Sequence, residues 1–471
     1  LELDRVNEAI DILSNAAKRS QEDPELLNNL GNALQKSLRT EEALAQFQAA
    51  LDLQPDNVTV LVNLSKNLLR AGEYERALLH LEKARAVAPD NAEVAVVDSL
   101  ALPVIYKSQE EITKARERML SKLTDLERGK WNIVDPVITV GQTNFYLAYQ
   151  GENDIDIQTR IAAVFLRSCP DLTFIADHCP SYSGPAGRRV KLGFVSARLG
   201  GHTIGKLFNG LITALNSKHF EISVFHLGSD RRKENIYLSA LSNQVDQFIR
   251  LPSPYIHARN AIAAEELDIL YYTDIGMEPL SYFLAFSRLA PVQCASWGHP
   301  VTTGIPNIDY FLSWKIHEPS DACSHYSENL QLFSGFCTNY TPPEFADPIK
   351  EREELGLDTK ANLYVCPQSL FKFHPTFDWM LACILRNDEN GQIILLEGQQ
   401  QNWGRLLRNR FAALNPDMVD RIRFLPRLSG ENYLHLMTLA DVLLDTPVFC
   451  GGNTSFEALA AGKVLVTLPG R

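Results

Sequence analysis

The 471 residues suffice for about three domains at roughly 150 residues each, and 45% hydrophobic with 22% charged residues is ordinary globular composition. Lys and Arg number 45 against 57 acidic residues, a net charge of −12, which argues against a general nucleic-acid binder because such a surface carries a basic excess. Eight scattered cysteines without a CxxC pair argue against a zinc site or a disulfide framework, and no apolar run reaches the ~18 residues of a membrane helix.

The first element in chain order is a repeat. Leu27, Leu30, Gly31, Leu34, Ala43, Phe47, Ala50 and Pro55 recur 34 residues later as Leu61, Leu64, Ser65, Leu68, Ala77, Leu81, Ala84 and Pro89. This is the period of tetratricopeptide repeats, pairs of helices packed face to face that bind peptides and carry no chemistry of their own. The pattern predicts repeats over residues 1–90, with Pro55 and Pro89 ending second helices. Residues 91–180 read as degenerate repeats and a helical adaptor, and SYSGPAGRR (181–189) as a linker. Residues 1–20 read as the end of a repeat without its beginning, so a fragment is expected.

From Val190 the chain alternates short apolar runs with amphipathic stretches. Expected strands are Lys191–Ser196, Glu221–His226, Ile269–Tyr272, Val292–Trp297 and Tyr310–Ser313, then Leu363–Cys366, Gln392–Leu396, Ile422–Leu425, Val442–Leu444 and Val464–Thr467. Alternation of this kind predicts parallel sheets covered on both faces. Two such units in series, residues 189–347 and 348–471, predict a two-lobed α/β enzyme behind an α-helical solenoid, with ligands outside the carboxyl ends of the strands.

Four segments carry chemistry. In DTPVFCGGNTSFEALAAGKVLVTLPG (445–470), a strand, a turn with Gly451 and Gly452, and a helix start at Asn453, Thr454 and Ser455 suit a diphosphate at the positive end of the helix. Glu457, one turn on, suits a ribose diol. A capped turn with Asn453 or Thr454 as N-cap is the plainer alternative. In VCPQSLFKFHP (365–375), Lys372 after Gln368 and Ser369 suits charge building on a leaving diphosphate, or is a solvated lysine. In VSARLGGHTIGKL (195–207), His202 either contacts an acceptor or caps a helix. SWGHPVTTGIPNIDY (296–310) is a further strand-end loop containing His299.

Taken together, GFVSARLGGHTIGKL, LDILYYTDIGM, APVQCASWGHPVTTGIPNIDYFLS, QSLFKFHP and LADVLLDTPVFCGGNTSFEALAAGKVLVTLPG, in that order behind the repeats, resemble the O-linked N-acetylglucosamine transferases of glycosyltransferase family 41, especially bacterial members. The resemblance spans nearly the whole chain. It implies a GT-B fold, no metal or cofactor beyond a nucleotide-sugar co-substrate (UDP-GlcNAc foremost), inversion at the sugar carbon, and a Ser or Thr acceptor on a polypeptide held by the repeats. It implies active-site roles for His202 and Lys372. Asp268 stands where animal enzymes have a second histidine, in a position for a base. Donor contacts are implied at Gln368 or Ser369, at Leu428, Gly430 and Tyr433 around the base, and at Gly452, Asn453, Thr454, Ser455 and Glu457. Leu436 replaces an arginine. The family continues past the strand that ends near Arg471, so an unfinished second lobe is expected. The missing signal peptide and unpaired thiols lead to the expectation of a cytoplasmic protein. A repeat scaffold with an inactive transferase domain, and a GT-B enzyme acting on a glycan or small molecule, are the alternatives.

Overall fold

The computed structural model describes residues 2–20, 22–228, 236–348 and 350–468. Leu1 and Arg471, between which the expectation of a cut repeat and an unfinished lobe was framed, lie outside them.

The first five helices are Glu2–Arg19, Pro24–Lys36, Thr40–Leu53, Val58–Ala71 and Tyr74–Val87. Their boundaries repeat with their cores. Asp23, Asn57 and Asn91 each stand before a first helix, and each side chain accepts a hydrogen bond from the backbone N–H two or three residues on. The pairs then close on small residues. A Cβ on Gly31 would sit 2.7 Å from the Phe47 ring, so only glycine fits beneath that phenyl group. One period later Ser65 takes the place of Gly31, and its hydroxyl donates to the Leu61 carbonyl at 2.7 Å. Phe47, Ala43, Leu61, Ala77 and Leu81 are fully buried in one continuous core.

The adaptor joins the repeats to both lobes. Its long helices Gln109–Arg128 and Ile155–Ser168 share a core with the first lobe, where Phe165 lies edge-on to Phe283 at 5.2 Å. Val104 and Ile105 instead enter the core of the second lobe. The second lobe also grips the repeats directly through the helix Gln401–Leu414. The Trp403 indole donates to the Arg70 carbonyl at 2.9 Å, and the Asn402 amide donates to the Ala71 carbonyl at 2.8 Å. These bonds satisfy the last carbonyls of the helix Val58–Ala71, which have no partner inside their own helix.

Twelve strands among the described residues build the two lobes. The first sheet contains β1 (Val190–Ser196), β2 (Phe220–His226), β3 (Gln247–Arg250), β4 (Ile269–Tyr272), β5 (Val292–Ser296), β6 (Tyr310–Trp314) and β7 (Asn329–Phe333). Its order is β3-β2-β1-β4-β5-β6-β7, and every neighbouring pair is parallel. The second contains β8 (Asn362–Cys366), β9 (Gly391–Leu396), β10 (Ile422–Leu425), β11 (Val442–Leu444) and β12 (Leu465–Val466), in the order β10-β9-β8-β11-β12, again parallel throughout. The α/β architecture expected from the alternation is therefore present. The strands that the apolar runs did not reveal are β3 and β7, the two edges of the first sheet. Only one face of an edge strand needs apolar cover, and the exposed and half-buried positions of β7 alternate accordingly.

One buried ion pair ties the second lobe to the adaptor. The Arg410 guanidinium donates to both Asp378 carboxylate oxygens, at 2.8 and 2.7 Å, and to the carbonyls of Phe373 and, across the boundary, Tyr106. Both side chains are about 2% exposed. Asp378→Ala leaves this guanidinium buried without its counter-charge and is expected to destabilise the protein by about 3–5 kcal/mol. Denaturant unfolding followed at the second lobe checks this; a loss below about 1 kcal/mol, the level of a surface pair, contradicts it.

Candidate active site

Each sheet reverses its strand order once, between β1 and β4 in the first lobe and between β8 and β11 in the second. Connections leave such a point in opposite directions, so a crevice opens at the carboxyl ends of the two strands. His202 follows β1, LDILYYTDIGM surrounds β4, Lys372 follows β8, and the glycine turn follows β11. The expected chemistry thus lies at the two switch points, with one exception.

The exception is Asp268. It lies immediately before β4, at the amino edge of the sheet, whereas His202 lies beyond the carboxyl end of β1. Its side chain is buried, receives two bonds from the Arg188 guanidinium at 2.6 and 2.8 Å, and accepts from the Lys191 N–H at 2.7 Å. The expected role as a base is corrected: Asp268 anchors the end of the 181–189 linker to the sheet. The carboxylate at the other end of the strand is Asp274. It is 1% exposed; its Oδ1 accepts from the Thr273 hydroxyl at 2.8 Å, and its Oδ2 has no hydrogen-bond partner among the described residues. Burial pushes the Asp274 carboxyl up to about 6, against the opposing effect of Thr273 and Ser196. Its signal in the sequence was position alone, two residues past a predicted strand end.

His202 caps the helix Thr203–Ala214, its Nδ1 accepting from the Ile204 N–H at 3.2 Å. A neutral imidazole that accepts at Nδ1 carries its proton on Nε2. Burial, reinforced by Arg198 and Lys206, lowers its pKa to about 4, so the ring is neutral near pH 7. The capping reading and the acceptor-contact reading are therefore compatible, with Nε2–H left as a donor. His299 is a different case. It is buried, stacks on Phe145 of the adaptor at 5.0 Å, and wedges two segments together.

In the second lobe a polar cluster shapes the turn after β11. Asp445 Oδ1 accepts from the N–H groups of Thr446 and Gly451 at 2.9 and 2.8 Å, and from the Gln368 amide at 3.1 Å. Gln368 also donates to the Thr454 hydroxyl at 2.7 Å and accepts from Lys372 Nζ at 2.9 Å. Its amide is thereby committed to holding the turn, and Ser369 beside it is exposed. A Cβ on Gly451 would collide with both Gln368 and Thr454, which explains the glycine. Lys372 Nζ further donates to the Cys450 carbonyl at 3.3 Å and lies 5.0 Å over the Phe449 ring. Burial lowers the Lys372 pKa, and Asp445 opposes that shift. Asp445, whose Oδ2 also accepts from the Thr467 hydroxyl at 3.1 Å, was not anticipated from the sequence, because one aspartate after a strand gives no sign of the four groups it will receive.

The helix after the turn is Asn453–Ala460. Its N-cap is Gly452, not Asn453 or Thr454, and no side chain caps it. Free N–H groups and the positive end of the helix dipole therefore remain for an anion. Asn453 is 5% exposed, with its Oδ1 unpartnered among the described residues, and the Ser455 hydroxyl is turned back onto the Gly451 carbonyl. Glu457 is buried one turn later and accepts from Lys206 Nζ of the first lobe at 2.7 Å. Burial, with Glu457 close by, raises the Tyr433 hydroxyl well above its usual range. Gly430 opens the helix Gly430–Leu439 under a Ser429 cap, and Leu428 and Tyr433 sit half-buried at its edge. Leu436, in contrast, is fully buried in the lobe core. Trp297 of the first lobe closes the cleft from the other side, 3.2 Å from where a Cβ on Gly452 would stand.

Comparison with known proteins agrees with this architecture. The tetratricopeptide repeat family model matches residues 22–90, and that of glycosyl transferase family 41 matches residues 147–338. A probable UDP-N-acetylglucosamine–peptide N-acetylglucosaminyltransferase of Arabidopsis thaliana, SEC, is 24% identical over 306 residues, which are 62% of this chain and 31% of that protein. A SPINDLY protein of Solanum lycopersicum, with the same probable activity in its name, is 28% identical over 39% of this chain and 20% of its own. The chain thus spans about a third or less of these relatives' lengths. In three dimensions it is similar to a mutant of the O-GlcNAc transferase of Thermobaculum terrenum, with a TM-score of 0.69 at 21% identity, over 99% of this chain and 79% of that one. This likeness covers the repeats and both lobes as a fold. Residues 147–338 thus match the glycosyl transferase family 41 model, behind a stretch that matches tetratricopeptide repeats and ahead of a second parallel-sheet lobe.

Proposed function

We propose that the protein transfers a sugar, N-acetylglucosamine foremost, from a uridine diphosphate donor to a Ser or Thr hydroxyl of a polypeptide held by the repeats. The observation that carries this reading is the uncapped helix start at Gly452–Asn453 with Lys372 drawn to the same turn. A positive, partly desolvated pocket suited to a diphosphate faces the switch point of the other lobe. The probable activities for which the plant relatives are named support the donor and the acceptor class.

The acceptor oxygen attacks the anomeric carbon as the bond to the diphosphate oxygen breaks, which inverts that carbon. Lys372 and the backbone donors at Gly452–Thr454 take up the charge that develops on the leaving group, so no metal is called for in this scheme. Glu457 receives the ribose hydroxyls in exchange for Lys206, and Leu428, Gly430 and Tyr433 flank the base. His202, with its proton on Nε2, orients by donating and is not the base. The acceptor proton goes to Asp274 or to water, because Asp274 combines an unpartnered oxygen with a pKa near the working pH. A cytoplasmic setting belongs to the same reading and is supported by eight cysteines that are all free.

A panel of nucleotide sugars, scored for hydrolysis and transfer, tests the proposal. Lys372→Ala is expected to reduce transfer by about a hundredfold or more while its circular dichroism melt stays that of the native chain; full turnover would remove Lys372 from the mechanism. Asp274→Asn separates two roles. A carboxyl whose pKa rises from its unfolded value to about 6 stabilises the fold below the unfolded pKa and loses that contribution as pH rises through about 6. The variant should therefore gain up to about 3 kcal/mol over the native protein at pH 8 and little at pH 4, and lose about a hundredfold in transfer. Equal stability changes at both pH values would show that the native carboxyl is not raised.

A further inference from the structure

A second cavity lies outside the donor cleft, where four parts of the molecule meet. It has a volume of about 370 Å³ and is walled by the repeats, the adaptor loop 141–146, the segment after β4 and the helix Gln401–Leu414 with its approach. That size falls in the range of ligand sites. Its lining includes two cations, Lys66 and Arg70, and no carboxylate, in a chain with an excess of acidic residues. Amide side chains surround them, among them Asn67, Gln142, Asn144 and Gln400.

The two cations differ. Lys66 pairs with Glu93 at 2.7 Å, and its Nζ lies 4.0 Å from where a Cβ on Gly141 would stand, at the adaptor loop. Arg70 is half-buried, and no hydrogen-bond or ion-pair partner of its guanidinium lies among the described residues. Burial lowers its pKa, with only the Tyr146 hydroxyl opposing. A desolvated guanidinium without a counter-charge is costly, and its fork of donors matches a carboxylate. Its backbone is used, since the Arg70 carbonyl accepts from Trp403, but its side chain is not. The cavity also abuts the loop after β4 that carries Asp274. Met277 and Pro279 line it, the Met277 N–H bonds to the Asp274 carbonyl at 3.3 Å, and the Thr143 hydroxyl bonds to the Gly276 carbonyl.

We infer that this junction is an acidic-residue subsite: Arg70, assisted by Lys66, receives the carboxylate of an Asp or Glu side chain on the acceptor polypeptide as it passes from the repeats to the cleft. The inference rests on the polypeptide-transferase reading and adds a specificity to it. The full chain is assayed on an array of short random-sequence peptides made in matched pairs, Asp or Glu in one member and Asn or Gln in its twin. The native protein is expected to hold acidic members at least about tenfold more tightly than their twins, Arg70→Lys to keep part of that preference, and Arg70→Met to lose it. Arg70→Met should melt at or above the native temperature, because it removes a charge without a partner. Equal binding of the twins by the native protein, or a preference that survives Arg70→Met, would overturn the subsite. So would a large fall in melting temperature with loss of all peptide binding, which marks a structural arginine. Calorimetric titration with UDP on the same proteins keeps the two readings apart. Failure of the native chain to bind UDP counts against the transferase and leaves the peptide preference standing.

Discussion

Two reversals of strand order govern this molecule. In a parallel sheet every connection must cross from one end to the other, and where successive connections turn opposite ways the strand ends are left uncovered. That happens between β1 and β4 and between β8 and β11. The loops released there have no strand pairing to satisfy, so their polar groups are free to organise one another. In the second lobe Asp445 does so, collecting two backbone N–H groups and the Gln368 amide, and through Gln368 it sets the positions of Thr454 and Lys372. A single buried carboxylate thereby aligns a lysine and a helix start on one target.

The two crevices become one cleft because the lobes are held by contacts of different kinds. Phe456 of the second lobe stacks on Tyr340 at 4.8 Å, while Lys206 of the first lobe reaches Glu457. The aromatic contact is indifferent to what occupies the cleft. The ion pair is not, because in the proposed placement of the donor a ribose competing for Glu457 releases Lys206. Under that proposal, occupation of the donor site and the hold between the lobes are linked through one carboxylate.

The repeats are not an appendage on a flexible tether. Trp403 and Asn402 use up the last carbonyls of a repeat helix, and Arg410 binds the Tyr106 carbonyl from within a buried ion pair. Breaking either set strands polar groups away from water, which is costlier than separating apolar surfaces of similar size. The orientation of the repeats is therefore set relative to the cleft, and Arg70 lies on that boundary.

Much of this was legible in the residues themselves. The 34-residue period, the sheet strands with continuous apolar runs, and the placement of His202, Lys372 and Asn453–Glu457 at strand ends follow from local rules, because periodicity, capping and glycine turns act between residues close in sequence. The edge strands β3 and β7 escaped because half-exposed strands do not need apolar runs. Asp268 and Asp274 show the deeper limit. Six residues apart, flanking one strand, they look alike in the sequence, yet one meets Arg188 at the amino edge and the other lies buried at the carboxyl end. Which end of a strand faces the cleft, which of Gln368 and Ser369 turns inward, and whether an arginine 70 residues into a repeat array finds a partner all depend on groups distant in the chain. Only the folded arrangement brings those groups together, because burial and pairing are decided by tertiary neighbours.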